Sequence, residues 1–167
     1  MKFEWDGSYR GAIFSQNRHY RYVLWRVWNP TKPWLSYTGL NPSKANAMLD
    51  DPTVTVMMAR GAREGFGAVW FTNLYGYVSS DPKILLLDLP DFVGENDDYL
   101  EAVVGLTQRH LIGWGAFSAA ARRSEAVLKI IPEPYCLGVN KGGQPKHPLY
   151  VPYKEMMRPY QKIERSL

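Results

Sequence analysis

Residues 35–43 read Leu35-Ser36-Tyr37-Thr38-Gly39-Leu40-Asn41-Pro42-Ser43, an apolar run that ends in a polar turn. The run predicts a buried strand, and Gly39 and Pro42 predict a tight bend after it. The polar side chains that follow the bend are Asn41, Ser43 and Lys44. Because open α/β sheets keep their active sites where strands run into such loops, this loop is a candidate site. An Asn-Pro turn without any chemistry explains the same residues at this point.

The composition of the whole chain is that of a globular protein with a mildly basic charge. Its 167 residues predict a single domain, residues 1–167, with a sizeable core. The formal charge of +4 is compatible with a nucleic-acid partner but does not require one. Aromatic residues make up 14% of the chain, which indicates that some rings are exposed and bind a ligand.

Cysteine and histidine usage excludes several kinds of site. Cys136 is the only cysteine, so neither an intrachain disulfide nor a four-cysteine metal site can form. No two of the three histidines have metal-ligand spacing, and we expect no metal and no cofactor. The N-terminus lacks the apolar core of a signal peptide, and no apolar run approaches the roughly 20 residues that span a bilayer. A cytoplasmic protein without a membrane partner is the expectation.

Hydrophobic patterning predicts alternating strands and helices. Strands are predicted at 35–40, 67–73, 111–114 and 135–138, and helices at 53–64, 96–109, 116–130 and 153–163. Before them, 12–14 and 18–28 predict a β-hairpin, in which the arginines of the second strand are expected to be solvated. Asp51 is placed to cap the helix at 53–64.

This order predicts an α/β protein, a three-layer α/β/α sandwich with a central, about four-stranded parallel sheet. The N-terminal hairpin would extend one edge of that sheet. Because the carboxyl ends of parallel strands meet at one edge, the loops that begin at Asn41, Asn73, Trp114 and Val139 are expected to form one crevice. These loops carry amides, hydroxyls, aromatic rings, lysines and His147, without a recognisable nucleophile arrangement. Such groups suit a heterocycle's hydrogen-bonding edge, as in the recognition of a flipped base.

Four motifs then carry a resemblance to a known family. In chain order they are Gly39-Leu40-Asn41-Pro42-Ser43, Phe71-Thr72-Asn73-Leu74, Ile112-Gly113-Trp114-Gly115 and His147-Pro148-Leu149-Tyr150. They resemble the uracil-DNA glycosylase superfamily, whose mismatch-specific branch has a Gly-Ile-Asn-Pro-Gly loop after the first core strand. Over roughly residues 20–152 the chain also resembles a bacterial and phage family of unknown function with Leu-Asn-Pro-Ser and His-Pro-Leu-Tyr motifs.

The resemblance implies a role for each matching residue. Asn41 would position or polarise the water that attacks the sugar C1′, Asn73 would bind the pyrimidine edge, and His147 would donate to the base oxygen that gains negative charge. The further base-binding candidates are Ser43, Tyr75 and Trp114. The DNA-binding candidates are Lys44, Lys141, Lys146 and Tyr150.

One departure from the superfamily leaves the mechanism open. The most active uracil branch has an aspartate as water activator where this chain has Asn41. Either leaving-group stabilisation dominates, or Asp50 or Asp51 supplies the carboxylate, with Asp51 as a catalytic candidate besides its capping role.

A second departure leaves the substrate open. The tyrosine that screens out the thymine methyl group is not identifiable, so uracil specificity does not carry over. The expected function is a monomeric, monofunctional DNA glycosylase that excises a modified pyrimidine, in repair or in defence against phage. The alternatives are a non-catalytic reader of modified or single-stranded DNA and an N-glycoside hydrolase of free nucleosides or nucleotides.

Overall fold

A computed structural model describes residues 3–87, 93 and 95–162 of the chain. The strands are β1 (Arg10–Phe14), β2 (Arg21–Val27), β3 (Trp34–Gly39), β4 (Ala68–Asn73), β5 (Arg109–Ile112), β6 (Tyr135–Cys136) and β7 (Arg158–Pro159). The α-helices are α1 (Pro52–Arg63), α2 (Asn96–Leu106) and α3 (Ser118–Ile130), and short 3-10 helices cover Pro82–Leu86 and Pro148–Tyr150. None of the helices in the described ranges is long and apolar enough to cross a membrane.

The strands form one seven-stranded mixed sheet in the order β1-β2-β4-β3-β5-β6-β7. β3 pairs in parallel with β4 and β5, and β6 pairs in parallel with β5. The pairs β1–β2, β2–β4 and β6–β7 are antiparallel. The prediction of a sandwich around an about four-stranded parallel sheet was therefore wrong, because antiparallel strands continue the same sheet on both sides.

The helices pack on the two faces of this sheet. Val54 and Met57 of α1 share a core cluster with Leu35 and Tyr37 of β3. On the opposite face, Val103 of α2 packs with the tryptophans of β2 and β4 and with the valines of β2. Residues of α2 and α3 complete that face beside β5 and β6. Alternate side chains of a strand point to opposite faces, so both faces of the central strands are buried.

Helix α1 begins where the sequence predicts it. Asp51 is the N-cap, its side chain accepts a hydrogen bond of 2.9 Å from the Val54 amide, and Pro52 occupies the first turn. The basic Arg60 and Arg63 lie in the last turn, where cations are favourable. The predicted cap and helix are confirmed, and α1 thereby has a fixed start beside the ends of β3 and β4.

The helix predicted at 153–163 does not form in its described part. Side chains of α1 instead bind carbonyls in this segment and just before it, since Arg60 donates to Val151 at 2.7 Å and to Glu155 at 3.0 Å. Arg63 also donates to Glu155 and lies over the ring of Tyr153. The segment forms a turn at 153–154 and continues without helix into β7, and residues 163–167 lie outside the described ranges.

A β-bulge distorts the start of β2. Ile13 pairs with Val23, whereas the next residue, Phe14, pairs with Arg21, so Tyr22 is an extra residue in β2. Tyr22 packs with Val23 in the core on the α2 face. The guanidinium of Arg21 bonds the loop after β3, on the opposite face. Arg21 and Arg26 are both buried, so the prediction of solvated arginines in this strand was wrong for these two residues.

Candidate functional site

A cavity of about 230 Å³ lies where β3, β4 and β5 end. Gly39 pairs with Asn73, and the Gly113 amide donates to the Thr38 carbonyl at 3.0 Å, so the three strand ends are level. The apolar lining consists of Tyr37, Leu40, Val54, Phe71, Pro82 and Trp114. The polar lining consists of Arg21, Asn41, Ser43, Asp51, Thr53, Thr72, Asn73 and His147. An apolar cavity with a few convergent polar groups is the usual form of a ligand site.

Asn73 supplies a carboxamide that the described part of the chain does not use. Its backbone carbonyl accepts a 2.7 Å bond from Asn96, whereas its buried side chain has no hydrogen-bond partner among the described residues. Gly39 makes room for this amide, because a Cβ there would lie 3.0 Å from Asn73 Oδ1. The amide can therefore both donate to and accept from a ligand.

The two polar atoms of the Asn41 amide have different roles. Nδ2 donates to the carbonyls of Ser79 at 2.9 Å and Pro42 at 3.1 Å, which fixes the orientation of the side chain. These bonds also tie the loop after β4 to the loop after β3. The oxygen Oδ1 is then the atom available to a ligand or a water molecule, as an acceptor.

His147 is held as a neutral donor. It caps the 3-10 helix Pro148–Tyr150, and its Nδ1 accepts a 3.2 Å hydrogen bond from the Leu149 amide. In a neutral ring that accepts at Nδ1, the proton sits on Nε2. Burial lowers the pKa of His147 from its ordinary value, although the Asp51 charge opposes this shift. The ring can thus offer an Nε2–H donor at neutral pH.

Asp51 lines the cavity while it caps α1. Oδ1 accepts from the Val54 amide, and the negative charge acts on Arg21 and His147. The carboxylate therefore lies among the cavity's polar groups, and both capping and a chemical role are compatible with this position. Asp50, the alternative carboxylate of the sequence prediction, does not line the cavity.

Asp50 instead belongs to a cluster with Arg10 and Arg26 that we call the loop anchor. Both arginines form 2.8 Å ion pairs with Asp50 Oδ1. Arg26 also donates to the carbonyls of Asn46 at 2.7 Å and Leu49 at 3.3 Å. The loop anchor fastens the segment between β3 and α1 to β2, and so fixes one wall of the cavity.

Arg21 is a cavity residue that sequence reasoning missed. Its side chain is 5% exposed, and its Nη1 donates to the Ala45 carbonyl at 2.7 Å. Burial lowers the pKa of Arg21 to about 10, with the Asp51 charge opposing the shift. A strictly alternating strand puts Arg21 on the same face as Val23, and the residue types alone give no signal for the bulge that moves it.

The remaining base-binding candidates divide between the cavity and the core. Ser43 and Trp114 line the cavity, and the Trp114 indole donates to Gln144 at 2.6 Å. Tyr75 does not line it, because its hydroxyl donates to the Ala119 carbonyl at 2.8 Å on the α3 side. The structure thus separates Tyr75 from the other candidates.

A wider cleft of about 580 Å³ adjoins the cavity and shares Pro82, Trp114 and His147 with it. Lys146 and Tyr150 line this cleft, and Tyr150 is 84% exposed. Lys44 and Lys141 are exposed but line neither space. Of the four DNA-binding candidates, two are therefore adjacent to the cavity.

Comparisons with known proteins give one match. The family model described as "Protein of unknown function (DUF1643)" matches residues 21–149, well over half of the chain. No curated protein and no solved structure matches the chain significantly. The matched range begins at Arg21 and contains every other polar residue of the cavity. The chain therefore belongs to the DUF1643 family.

Proposed function

We propose that the protein is a monomeric DNA glycosylase of the cytoplasm that flips a modified pyrimidine into the cavity and hydrolyses its N-glycosidic bond. The observation that carries the proposal is the pair formed by Asn73 and His147. A carboxamide without a partner among the described residues and an imidazole Nε2–H both line one cavity. The resemblance to uracil-DNA glycosylases assigns base recognition and leaving-group stabilisation to these same two residues.

Leaving-group stabilisation follows from these donors. When the bond between C1′ and the base nitrogen breaks, its electron pair goes to the base, which becomes an anion. An Nε2–H from His147 and an amide N–H from Asn73 would bind that negative charge. Prepared donors of this kind contribute about 3–4 kcal/mol each to transition-state stabilisation, because they need no reorganisation during the reaction.

The water side of the reaction has two candidate groups. Oδ1 of Asn41 is the available acceptor on a side chain fixed by two hydrogen bonds. Asp51 is the carboxylate that lines the cavity. The attacking water forms a bond from its oxygen to C1′ and gives up a proton, which Asp51 would accept while Asn41 orients the water.

The surroundings of the cavity favour DNA over a free nucleoside. The wider cleft opens directly from it and is bordered by Lys146 and the exposed ring of Tyr150. A lysine for the backbone and an aromatic ring for an unstacked base are the usual elements of a nucleic-acid groove. A hydrolase of free nucleosides would have no use for this neighbouring surface.

The proposal is tested by incubating the protein with DNAs that contain uracil, mismatched thymine, 5-hydroxymethylcytosine or its glucosylated form, in single and double strands. Alkaline cleavage then reveals abasic sites. We expect product on at least one substrate, and a loss of about 10²–10³ in rate for His147→Ala, since it removes one donor. His19→Ala, which removes an exposed histidine outside the cavity lining, should retain the wild-type rate.

Other outcomes would replace the proposal. DNA binding without abasic product on any substrate would identify a non-catalytic reader. Base release from free nucleosides, independent of salt and without cleavage of DNA, would identify a nucleoside hydrolase, because DNA binding weakens steeply with salt.

A further inference from the structure

The guanidinium of Arg21 is a charged group of the cavity that the proposed excision does not use. The side chain is 5% exposed, yet the one hydrogen bond it makes within the described chain goes from Nη1 to Ala45. Its Nε is buried and has no partner among the described residues. Leaving donors of a buried charge unpaired costs free energy, so a ligand that accepts from Arg21 would recover it.

The bulge at Tyr22 determines the face of the sheet on which Arg21 lies. Without it, Arg21 would point to the α2 face with Val23, away from the cavity. Bulges close to functional sites commonly redirect one side chain. The strand is distorted at the point where it brings this buried donor to the cavity.

Asp51 faces the same space from the start of α1. Its charge acts on Arg21, but no ion pair within 4.0 Å joins the two groups. The carboxylate accepts one hydrogen bond, at Oδ1 from the Val54 amide. The cavity thus presents a strong donor and a strong acceptor that are close without being in contact.

We propose that Arg21 and Asp51 together recognise a hydroxyl group on the substituent of a modified pyrimidine. Arg21 would donate to the hydroxyl oxygen, and one carboxylate oxygen of Asp51 would accept from its O–H, which leaves the other oxygen for the attacking water. This inference rests on the proposed function, because it requires the base to occupy the cavity.

The roles of the other donors restrict which substituent Arg21 can bind. Asn73 is assigned to the hydrogen-bonding edge of the pyrimidine, and His147 is assigned to its carbonyl oxygen. Arg21 is then the donor left for a group attached to the ring. A methyl group would satisfy neither Arg21 nor Asp51, and a carboxylate would be repelled by Asp51. A hydroxymethyl group at C5, where base pairing stays intact, meets both requirements.

Binding is measured with duplexes that carry one cytosine with a methyl, hydroxymethyl or carboxyl group at C5, on a 2′-fluoro sugar that slows cleavage. The wild-type protein should bind the hydroxymethyl duplex at least about tenfold more tightly than the methyl duplex, because a hydrogen bond to a charged group is gained. Arg21→Gln should strongly reduce this preference, leaving at most the part that Asp51 supplies, while affinity for the methyl duplex stays the same. Arg122→Gln removes the same charge from an exposed position on α3 and should retain the preference.

A second variant separates recognition from folding. Asp51→Asn keeps a good N-cap for α1 but removes the negative charge, so carboxyl DNA should gain affinity relative to hydroxymethyl DNA. Equal affinity of the wild-type protein for methyl and hydroxymethyl DNA, or an unchanged preference in Arg21→Gln, would overturn the inference.

Parallel measurement of abasic product on ordinary deoxyribose distinguishes the two proposals. Product without a hydroxymethyl preference keeps the glycosylase and refutes the role of Arg21. A preference for hydroxymethyl DNA without abasic product supports the role of Arg21 and refutes the glycosylase.

Discussion

Two arginines on β2 lie under the same loop, yet their surroundings differ. Arg26, in the loop anchor, bonds Asp50 and three backbone carbonyls. Arg21, in the cavity, bonds one carbonyl and leaves its Nε unpaired in the described part of the chain. Burial alone therefore does not identify a functional charge. The informative quantity is how many of its donors the protein itself satisfies.

The largest effect that this contrast predicts is on stability. Arg26→Met should lower the free energy of unfolding by about 3 kcal/mol, because Asp50 loses a partner and the loop carbonyls lose a donor. Urea denaturation followed by far-UV circular dichroism measures the change. A loss below about 1 kcal/mol would mean that the loop anchor does not hold the loop.

The second variant, Arg21→Met, should be much milder. It removes one hydrogen bond to Ala45 but also removes a buried charge with few partners, and the two effects oppose each other. We expect the free energy of unfolding to change by less than about 1 kcal/mol in the same denaturation experiment. A loss equal to that of Arg26→Met would make both arginines structural and remove the contrast.

The smallest expected effect is the pH dependence of the reaction rate. It depends on His147 in the cavity and not on the loop anchor. Burial lowers the pKa of His147 below its ordinary 6.5, so the neutral ring predominates at that pH and above it. Under the proposed function, the excision rate should hold at neutral pH and fall on acidification below pH 6.5, when protonation of Nδ1 breaks its bond with Leu149. Single-turnover rates across this range measure it.

A contrary pH profile would be informative. A rate that rises as pH falls through 6.5 would mean that the protonated imidazolium is the active form. The linked effect on stability has the same direction, because a histidine with a depressed pKa in the folded state stabilises the fold above its unfolded pKa and loses that contribution on acidification.

The sequence predicts the local elements of this fold better than their assembly. Asp51-Pro52 is a strong helix start, and the apolar runs ending at Gly39 and Asn73 are indeed strands. The pairing of β2 with β4 could not be predicted, since it depends on contacts far apart in the chain. The final helix was predicted wrongly because nothing in residues 153–163 reveals that Arg60 binds the Glu155 carbonyl.

The candidate site was predictable to the extent that it lies at strand ends. Asn41, Asn73 and His147 are polar residues that follow strands or sit in loops, and all three line the cavity. Arg21 lies inside a strand and reaches the cavity through a one-residue bulge, which period-two patterning does not reveal. Tyr75 follows Asn73 closely in sequence, but its hydroxyl is directed to the α3 side.

Gly113, just after β5, allows the loop that carries His147 to pack directly against the sheet. A Cβ there would lie 2.9 Å from the Tyr37 ring and 3.1 Å from Pro148, so sheet and loop touch without an intervening side chain. The position of the His147 imidazole is thereby set by the sheet, and not by the outer turn around Lys141. Insertions or exchanges in that turn can therefore change the surface beside the cavity while His147 keeps its place. Under the proposed function, affinity for DNA and chemistry on the base could then evolve separately.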